Sequence, residues 1–367
     1  MLAHHAVTTA AAPCLSQRVN PYSLKMSLPE NNNKKCRIAV DAMGGDFAPL
    51  NQIKGAIEAQ SASDFIEVYL IGKSDIIKNC LKENNLTFSE NRIIHAEEVI
   101  AMDETPTQAI RTKKNSSIVL GNKLIKENSL DAFVSAGNTG AMMASATLDL
   151  GRIPGCGRPT IGSIMPSEKG ITTLFDVGAS VDSKPAHIVE YAIMGSIYVK
   201  EIFNIPEPKV GLLSVGEEDS KGNEVTIAAL PLLRKTNLNF VGNVEGRDIL
   251  NGSVNVIVCD GFTGNIILKF GESVLTLLKN LVRSYAEKGF VNKLKALLIK
   301  STLKEILKGF DYQEHGGVPL LGVKGVCIIG HGSSTPKAMK NMILRAFDMH
   351  NKNLIKKIEN SLKEYSL

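Results

Sequence analysis

The chain contains no tryptophan, and its aromatic residues amount to only 5% of 367 positions. A protein that stacks nucleic-acid bases on aromatic platforms needs more. The net charge of +5 also falls short of the concentrated basic face that nucleic acid selects, so no nucleic-acid partner is expected. No uninterrupted apolar run approaches the roughly 20 residues of a membrane-spanning helix, which leaves a membrane-surface position open but not an integral one. Six cysteines (Cys14, Cys36, Cys80, Cys156, Cys259, Cys327) lie far apart without a C-x-x-C pair. They read as reduced thiols of a cytosolic protein, not as a disulfide frame or a zinc site. Cys259 and Cys327 sit in strand-like runs and read as small buried apolar residues. Signature motifs are missing as well. The chain lacks G-x-x-x-x-G-K-[ST], a G-x-G-x-x-G after its first strand, a G-x-S-x-G elbow and H-E-x-x-H. P-loop, dinucleotide, serine-hydrolase and zinc-hydrolase readings therefore start behind, and neither cofactor nor metal is expected.

What the chain has instead is glycine at particular places. Five times a short apolar run ends in a Gly/Asp/Asn/Ser-rich turn and passes into a helical pattern: DAMGGD (Asp41–Asp46), SAGNTG (Ser135–Gly140), DVGASVDSK (Asp176–Lys184), DGFTGN (Asp260–Asn265) and GHGSS (Gly330–Ser334). Backbone N–H groups and the helix dipole both favour an anion at such a junction. If all five lay at one end of parallel strands they would converge on one crevice, whose ligand would be an oxyanion, most simply phosphate.

Residues 1–35 do not share this rhythm. They are acid-poor and aperiodic and lack the pattern of a secretory signal. They read as a disordered extension, an organelle transit segment or a mis-assigned start, with Met26 opening the protein. From Cys36 to Leu367 strands alternate with helices, which predicts one three-layer α/β/α domain with a mostly parallel sheet covered on both faces. Ser74 is a candidate N-cap and Pro185 suits a first helical turn. One segment departs from the alternation. Residues 274–310 read as a long basic helical stretch, broken at Gly289 into a hairpin, with Lys293 among its charges and Leu294, Leu297, Leu298, Leu303 and Leu307 on an apolar side. Such a pair suits a membrane surface, an acidic partner or a dimer contact.

Within the turns, Gly137 and Gly140 let backbone approach an anion, while Ser135, Asn138 and Thr139 add neutral donors. Asp176 and Ser183 flank Lys184, a compact cation suited to phosphate or to a developing thioester oxyanion. His331, Ser333 and Ser334 stand at another turn-to-helix junction. His331 reads either as a phosphate or carbonyl contact or as a structural histidine. Arg247 reads either as an anion clamp or as a partner for carboxylates of the fold. Asp260 and Asn265 complete the candidate substrate contacts.

Taken in order, VDAMGGD, SAGNTGA, DVGA with Ser183–Pro185, VGNVEGRD, CDGFTGN and GHGSS resemble the bacterial PlsX family of phosphate acyltransferases, from about Arg37 to the region of Phe347. The resemblance implies a Rossmann-like α/β/α fold related to the isocitrate-dehydrogenase and phosphotransacetylase types. It implies reversible transfer of a fatty acyl group from acyl carrier protein to inorganic phosphate, giving acyl-phosphate for phospholipid synthesis. It also implies a homodimer in the cytoplasm, peripherally associated with the inner face of the membrane, where the downstream glycerol-3-phosphate acyltransferase acts. On this reading Lys184, His331 and Asn138 are the catalytic candidates. A phosphotransacetylase-like enzyme using acyl-CoA and a non-catalytic membrane-recruiting scaffold remain the alternatives.

Overall fold

Most inner strands of this chain are short, apolar and buried on both faces, as the central layer of an α/β/α sandwich requires. The computed structural model describes residues 35–306 and 312–365. The reading of residues 1–34 and the assignment of Leu307 lie outside them. Eleven strands form one sheet: β1 Cys36–Asp41, β2 Ile66–Gly72, β3 Ile93–His95, β4 Ala132–Ser135, β5 Thr160–Ser167, β6 Gly170–Phe175, β7 Val210–Leu213, β8 Phe240–Val244, β9 Val256–Val258, β10 Val318–Leu321 and β11 Val326–Ile329. Alternate residues serve opposite faces. Ile38 and Val40 of β1, Val134 of β4 and Val256 of β9 join one core cluster. Ala39, Phe133 and Ile257 join a second on the other side of the sheet. Burying an Ile or Phe in such a layer contributes about 1.5–3 kcal/mol.

The spatial order is β3-β2-β1-β4-β11-β10-β5-β6-β9-β7-β8. β3, β2, β1, β4 and β11 are mutually parallel. So are β6, β9, β7 and β8. Between the sets, β11 to β10, β10 to β5 and β5 to β6 are all antiparallel. Three reversals leave the two parallel sets running in opposite directions. This corrects the expectation that all five glycine-rich turns leave one end of the sheet. DAMGGD, SAGNTG and GHGSS follow strands of the first set, whereas DVGASVDSK and DGFTGN follow strands of the second.

Helices cover both faces. The helix Leu50–Ala62 meets Pro336–Asn351 so closely that a Cβ on Gly55 would lie 2.4 Å from that of Met339. Pro185 does open a helix, Pro185–Phe203. Ser74, by contrast, is the first residue of its helix, and Lys73 occupies the cap position. The basic stretch begins earlier than its sequence pattern indicates, as a 27-residue helix Gly261–Glu287, about 40 Å long. Gly289 (φ +154°) turns the chain, and Phe290–Ile306 packs back against it. Leu277, Leu281, Leu294, Leu297 and Leu298 are exposed on this pair, and Leu303 is half-buried. No described helix is long and apolar enough to cross a membrane.

Candidate active site

The first group of turns is tied together from within. The Ser135 hydroxyl donates to Asp41 Oδ2 (2.7 Å) and accepts from the Gly137 N–H (3.0 Å). Asp41 also accepts from the Met43 N–H (3.1 Å). Burial pushes the Asp41 carboxyl above its ordinary range, against the hydrogen bonds of Ser117 and Ser135. Gly44 passes where a Cβ would lie 2.4 Å from Asp41 Oδ2 and 2.7 Å from the Gly137 nitrogen, so only glycine fits. The Asp46 N–H donates to the Gly332 carbonyl (2.8 Å), which brings GHGSS to DAMGGD.

Two expectations are corrected here. Ser135 is fully buried, with its hydroxyl engaged by Asp41 and Gly137. Asn138 is buried too: its oxygen caps the Ala141 N–H (2.9 Å), and its nitrogen lies 3.0–3.2 Å from the carbonyls of Ala101, Met102 and Glu104. Both side chains hold the loop; neither presents a donor to solvent. Ser334 is similarly buried, donating to the His331 carbonyl (2.6 Å). Thr139 and His331 are exposed, Gly140 is half-buried against Pro106, and Ser333 bonds through its hydroxyl to His331 Nδ1 (2.8 Å).

The second group is built around Asp176. This carboxylate is fully buried and accepts from the backbone N–H groups of Ile161, Gly178, Ala179 and Ser180 at 2.7–3.3 Å. Burial raises its pKa while those four bonds pull it down. Its oxygens are taken up by the backbone that shapes DVGAS. Gly264 crosses beneath, where a Cβ would stand 1.8 Å from the Asp176 carbonyl oxygen. Asp260 caps the helix Gly261–Glu287 through the Thr263 N–H (2.9 Å). Ser183 is buried beside the Ser180 carbonyl and the Tyr191 hydroxyl, each at 3.4 Å. Asn265 and Lys184 are exposed at the rim of this group. Arg247 is exposed and paired with Glu217 (3.0 Å) and Glu245 (3.1 Å), so the carboxylate reading of this residue is the one seen.

A cavity of about 460 Å³ lies beside the second group, between it and the helix that leaves SAGNTG. Its first wall is Met143, Thr147 and Leu148, on the helix Thr139–Ser145 that leaves SAGNTG and on its continuation Ala146–Leu150. Its second is Ala179 of DVGAS, and its third is the loop carrying Arg152, Gly157, Arg158 and Pro159. Arg152 donates to the Gly157 carbonyl. Glu190, on the helix Pro185–Phe203, accepts from the N–H groups of Gly157 (2.8 Å) and Arg158 (3.4 Å) and so anchors the loop. His187 accepts from the Lys184 N–H (3.1 Å). Its pKa is held below 6.5 by burial and by the positive charges of Arg158, Lys184 and Arg152. One wall is thus apolar and another cationic, which suits an anion attached to, or reacting with, a carbon chain. Sequence reasoning missed both arginines. Their signal was two guanidinium residues in an acid-free Gly/Pro loop, R-I-P-G-C-G-R-P.

One group of possible metal ligands occurs among the described residues, Cys36, Asp131 and His350. Both Asp131 oxygens already accept from Arg37, at 2.8–3.1 Å, so this group is a salt-bridged edge of β1.

Comparison with known proteins agrees with this architecture. A family model described as "Fatty acid synthesis protein" matches residues 36–357. A phosphate acyltransferase of Pelotomaculum thermopropionicum is 47% identical over 89% of this chain and 95% of its own length. One from Desulfitobacterium hafniense is 49% identical over 90% and 98%. The chain belongs to the PlsX family of phosphate acyltransferases. Among solved structures, a phosphotransacetylase from Streptococcus pyogenes superposes with a TM-score of 0.57 at 18% identity, covering 88% of this chain and 94% of its own. The EutD phosphotransacetylase of Staphylococcus aureus gives 0.55 at 14% identity, covering 86% and 94%. At these identities they show a shared α/β fold. This member of the PlsX family is therefore an acyltransferase with a phosphotransacetylase-like fold.

Proposed function

We propose that this acyltransferase moves a fatty acyl group reversibly from the thioester of acyl carrier protein to inorganic phosphate, and that the acyl-phosphate feeds phospholipid synthesis. The observation that carries the reading is identity of 47–49% to phosphate acyltransferases over about nine-tenths of the chain. The cationic and apolar walls of the cavity support it. A phosphate oxygen attacks the thioester carbonyl, a tetrahedral oxyanion forms, and the carbon–sulfur bond breaks. The proton of the monohydrogen phosphate ends on the departing thiolate, so acyl-phosphate and free thiol are the products. Phosphate is already largely dianionic near neutral pH and needs no strong base. Orientation is the larger problem, and positioning alone supplies about 7–11 kcal/mol. A good oxyanion donor supplies about 3 kcal/mol more. In this proposal exposed Lys184 stabilises the oxyanion and His331 contacts the acyl carbonyl or phosphate. Thr139 and Ser333 border the substrate.

The helix pair Gly261–Glu287 and Phe290–Ile306 serves the partners. Its lysines suit acidic acyl carrier protein and anionic lipid, and its exposed leucines suit a dimer contact and the inner face of a membrane, beside a glycerol-3-phosphate acyltransferase. Incubation with phosphate and either palmitoyl-carrier or palmitoyl-CoA tests the donor. Acyl-phosphate from the carrier form is expected. Turnover of the CoA thioester alone would instead favour the reading suggested by the phosphotransacetylase fold.

A further inference from the structure

We propose that Arg152 and Arg158 seat a phosphate oxyanion in the 460 Å³ cavity, with the carbon chain of the thioester lying along Met143 and Leu148. This deepens the proposed function and rests on it for the chain, but not for the anion. Arg37, Arg92, Arg234, Arg247 and Arg283 each lie 2.6–3.2 Å from a carboxylate. Arg111, Arg152, Arg158 and Arg345 have no such ion pair among the described residues, and of these Arg152 and Arg158 line the cavity. A guanidinium presents a planar fork that matches phosphate in a bidentate way, and two of them balance a dianion.

The loop that carries them is fixed before any ligand arrives. Glu190 holds the N–H groups of Gly157 and Arg158, Arg152 reaches the Gly157 carbonyl, and the Ile153 N–H donates to the Gly322 carbonyl (2.9 Å). A Cβ on Gly157 would lie 3.0 Å from Glu190 Oε1 and 3.1 Å from His187 Cδ2, so this fit depends on glycine. Glu190 is thus a positioning residue whose charge is spent on backbone. Lys184 and His187 stand close by, and the charges of both arginines reach His187, a gathering of positive charge that an anion would relieve. Opposite, Met143, Leu148 and Ala179 offer carbon surface for the chain next to the reacting carbonyl.

A phosphate group has two sources in this chemistry: inorganic phosphate as acceptor, or the phosphodiester of the carrier's prosthetic arm. Full-length wild type, Arg152→Gln, Arg158→Gln and Arg158→Lys would be compared with Arg234→Gln, an equal loss of charge at an exposed position outside the cavity and the helix pair. Equilibrium dialysis against labelled inorganic phosphate needs no turnover, so it reads the seat even if the acyl donor is misassigned. Steady-state assays would give KM for phosphate and for acyl-carrier separately, and melting curves would verify folding. The Gln variants are expected to weaken one of these by about tenfold to hundredfold, with partial recovery in Arg158→Lys and no change in Arg234→Gln. Loss of phosphate binding assigns the seat to the acceptor; a raised carrier KM with intact phosphate binding assigns it to the donor arm. Folded Gln variants with wild-type dialysis and both KM values unchanged would overturn the proposal, as would an equal loss in Arg234→Gln.

Discussion

The Ser135 hydroxyl lies 2.7 Å from Asp41 Oδ2, joining the ends of two neighbouring parallel strands across a sequence separation of 94 residues. Serine in a glycine-rich turn invites a ligand-binding reading, yet here its donor is consumed by a buried carboxylate. Ser135→Ala is therefore expected to act first on stability. Removing a hydrogen bond from a buried charged group costs about 1–3 kcal/mol, so the urea midpoint should fall while the KM for phosphate stays near wild type. A raised phosphate KM with an unchanged midpoint would restore the direct-contact role.

Gly264→Ala tests the second group of turns. The added methyl would stand 1.8 Å from the Asp176 carbonyl oxygen, and backbone cannot give way as a flexible side chain can. Overpacking of this kind costs about 3 kcal/mol. The melting temperature should drop by several degrees, and a variant that melts like wild type would show that DVGAS and DGFTGN are not locked together as described.

The strand–turn–helix rhythm was legible because strands buried on both faces leave continuous apolar runs such as RIAVDA and DAFVSAG. Among the strands that escaped notice, β5 and β10 carry Thr160, Gly162, Ser163 and Pro319 in place of such runs. They are also the antiparallel ones, so missing them hid the reversal of the sheet and made five turns look like one crevice. Arg152 and Arg158 lie in the loop leading into β5 and went unseen for the same reason. The turns themselves were recognised, but a sequence cannot tell a side chain that meets a ligand from one that holds a loop. Asn138 and Asp176 both hold their loops in this structure.

Lys184 has the opposite character to Ser135. It is exposed and forms no ion pair among the described residues, so Lys184→Ala should leave the melting curve unchanged. If it stabilises the thioester oxyanion, kcat should fall by about a hundredfold or more with little change in phosphate KM. Wild-type turnover in the variant would remove Lys184 from the mechanism.

The helix pair makes a separable prediction. Leu294 and Leu298 are both more than half exposed, so Leu294→Glu with Leu298→Glu should cost little folding stability. Binding to vesicles containing anionic lipid should weaken by more than tenfold, whereas acyl-phosphate formation from acyl-carrier in lipid-free solution should persist. Undiminished vesicle binding would assign these leucines elsewhere.

His187 reports on the charge around the cavity. Its pKa is held below 6.5 first by burial, then by Arg158, Lys184 and Arg152. The unfolded chain therefore takes up the proton before the folded one, and this residue's contribution to stability is complete above 6.5 and declines as pH falls below it. A phosphate anion seated between the arginines would offset their repulsion and move the histidine pKa upward. An NMR titration of the imidazole should thus show a midpoint below 6.5 in phosphate-free buffer and a higher one with phosphate present. In Arg158→Gln the phosphate-free midpoint should already lie higher, because one of the repelling charges is gone, and phosphate should shift it less. A midpoint insensitive to phosphate in the wild type would mean that no anion binds close enough to His187 to be felt.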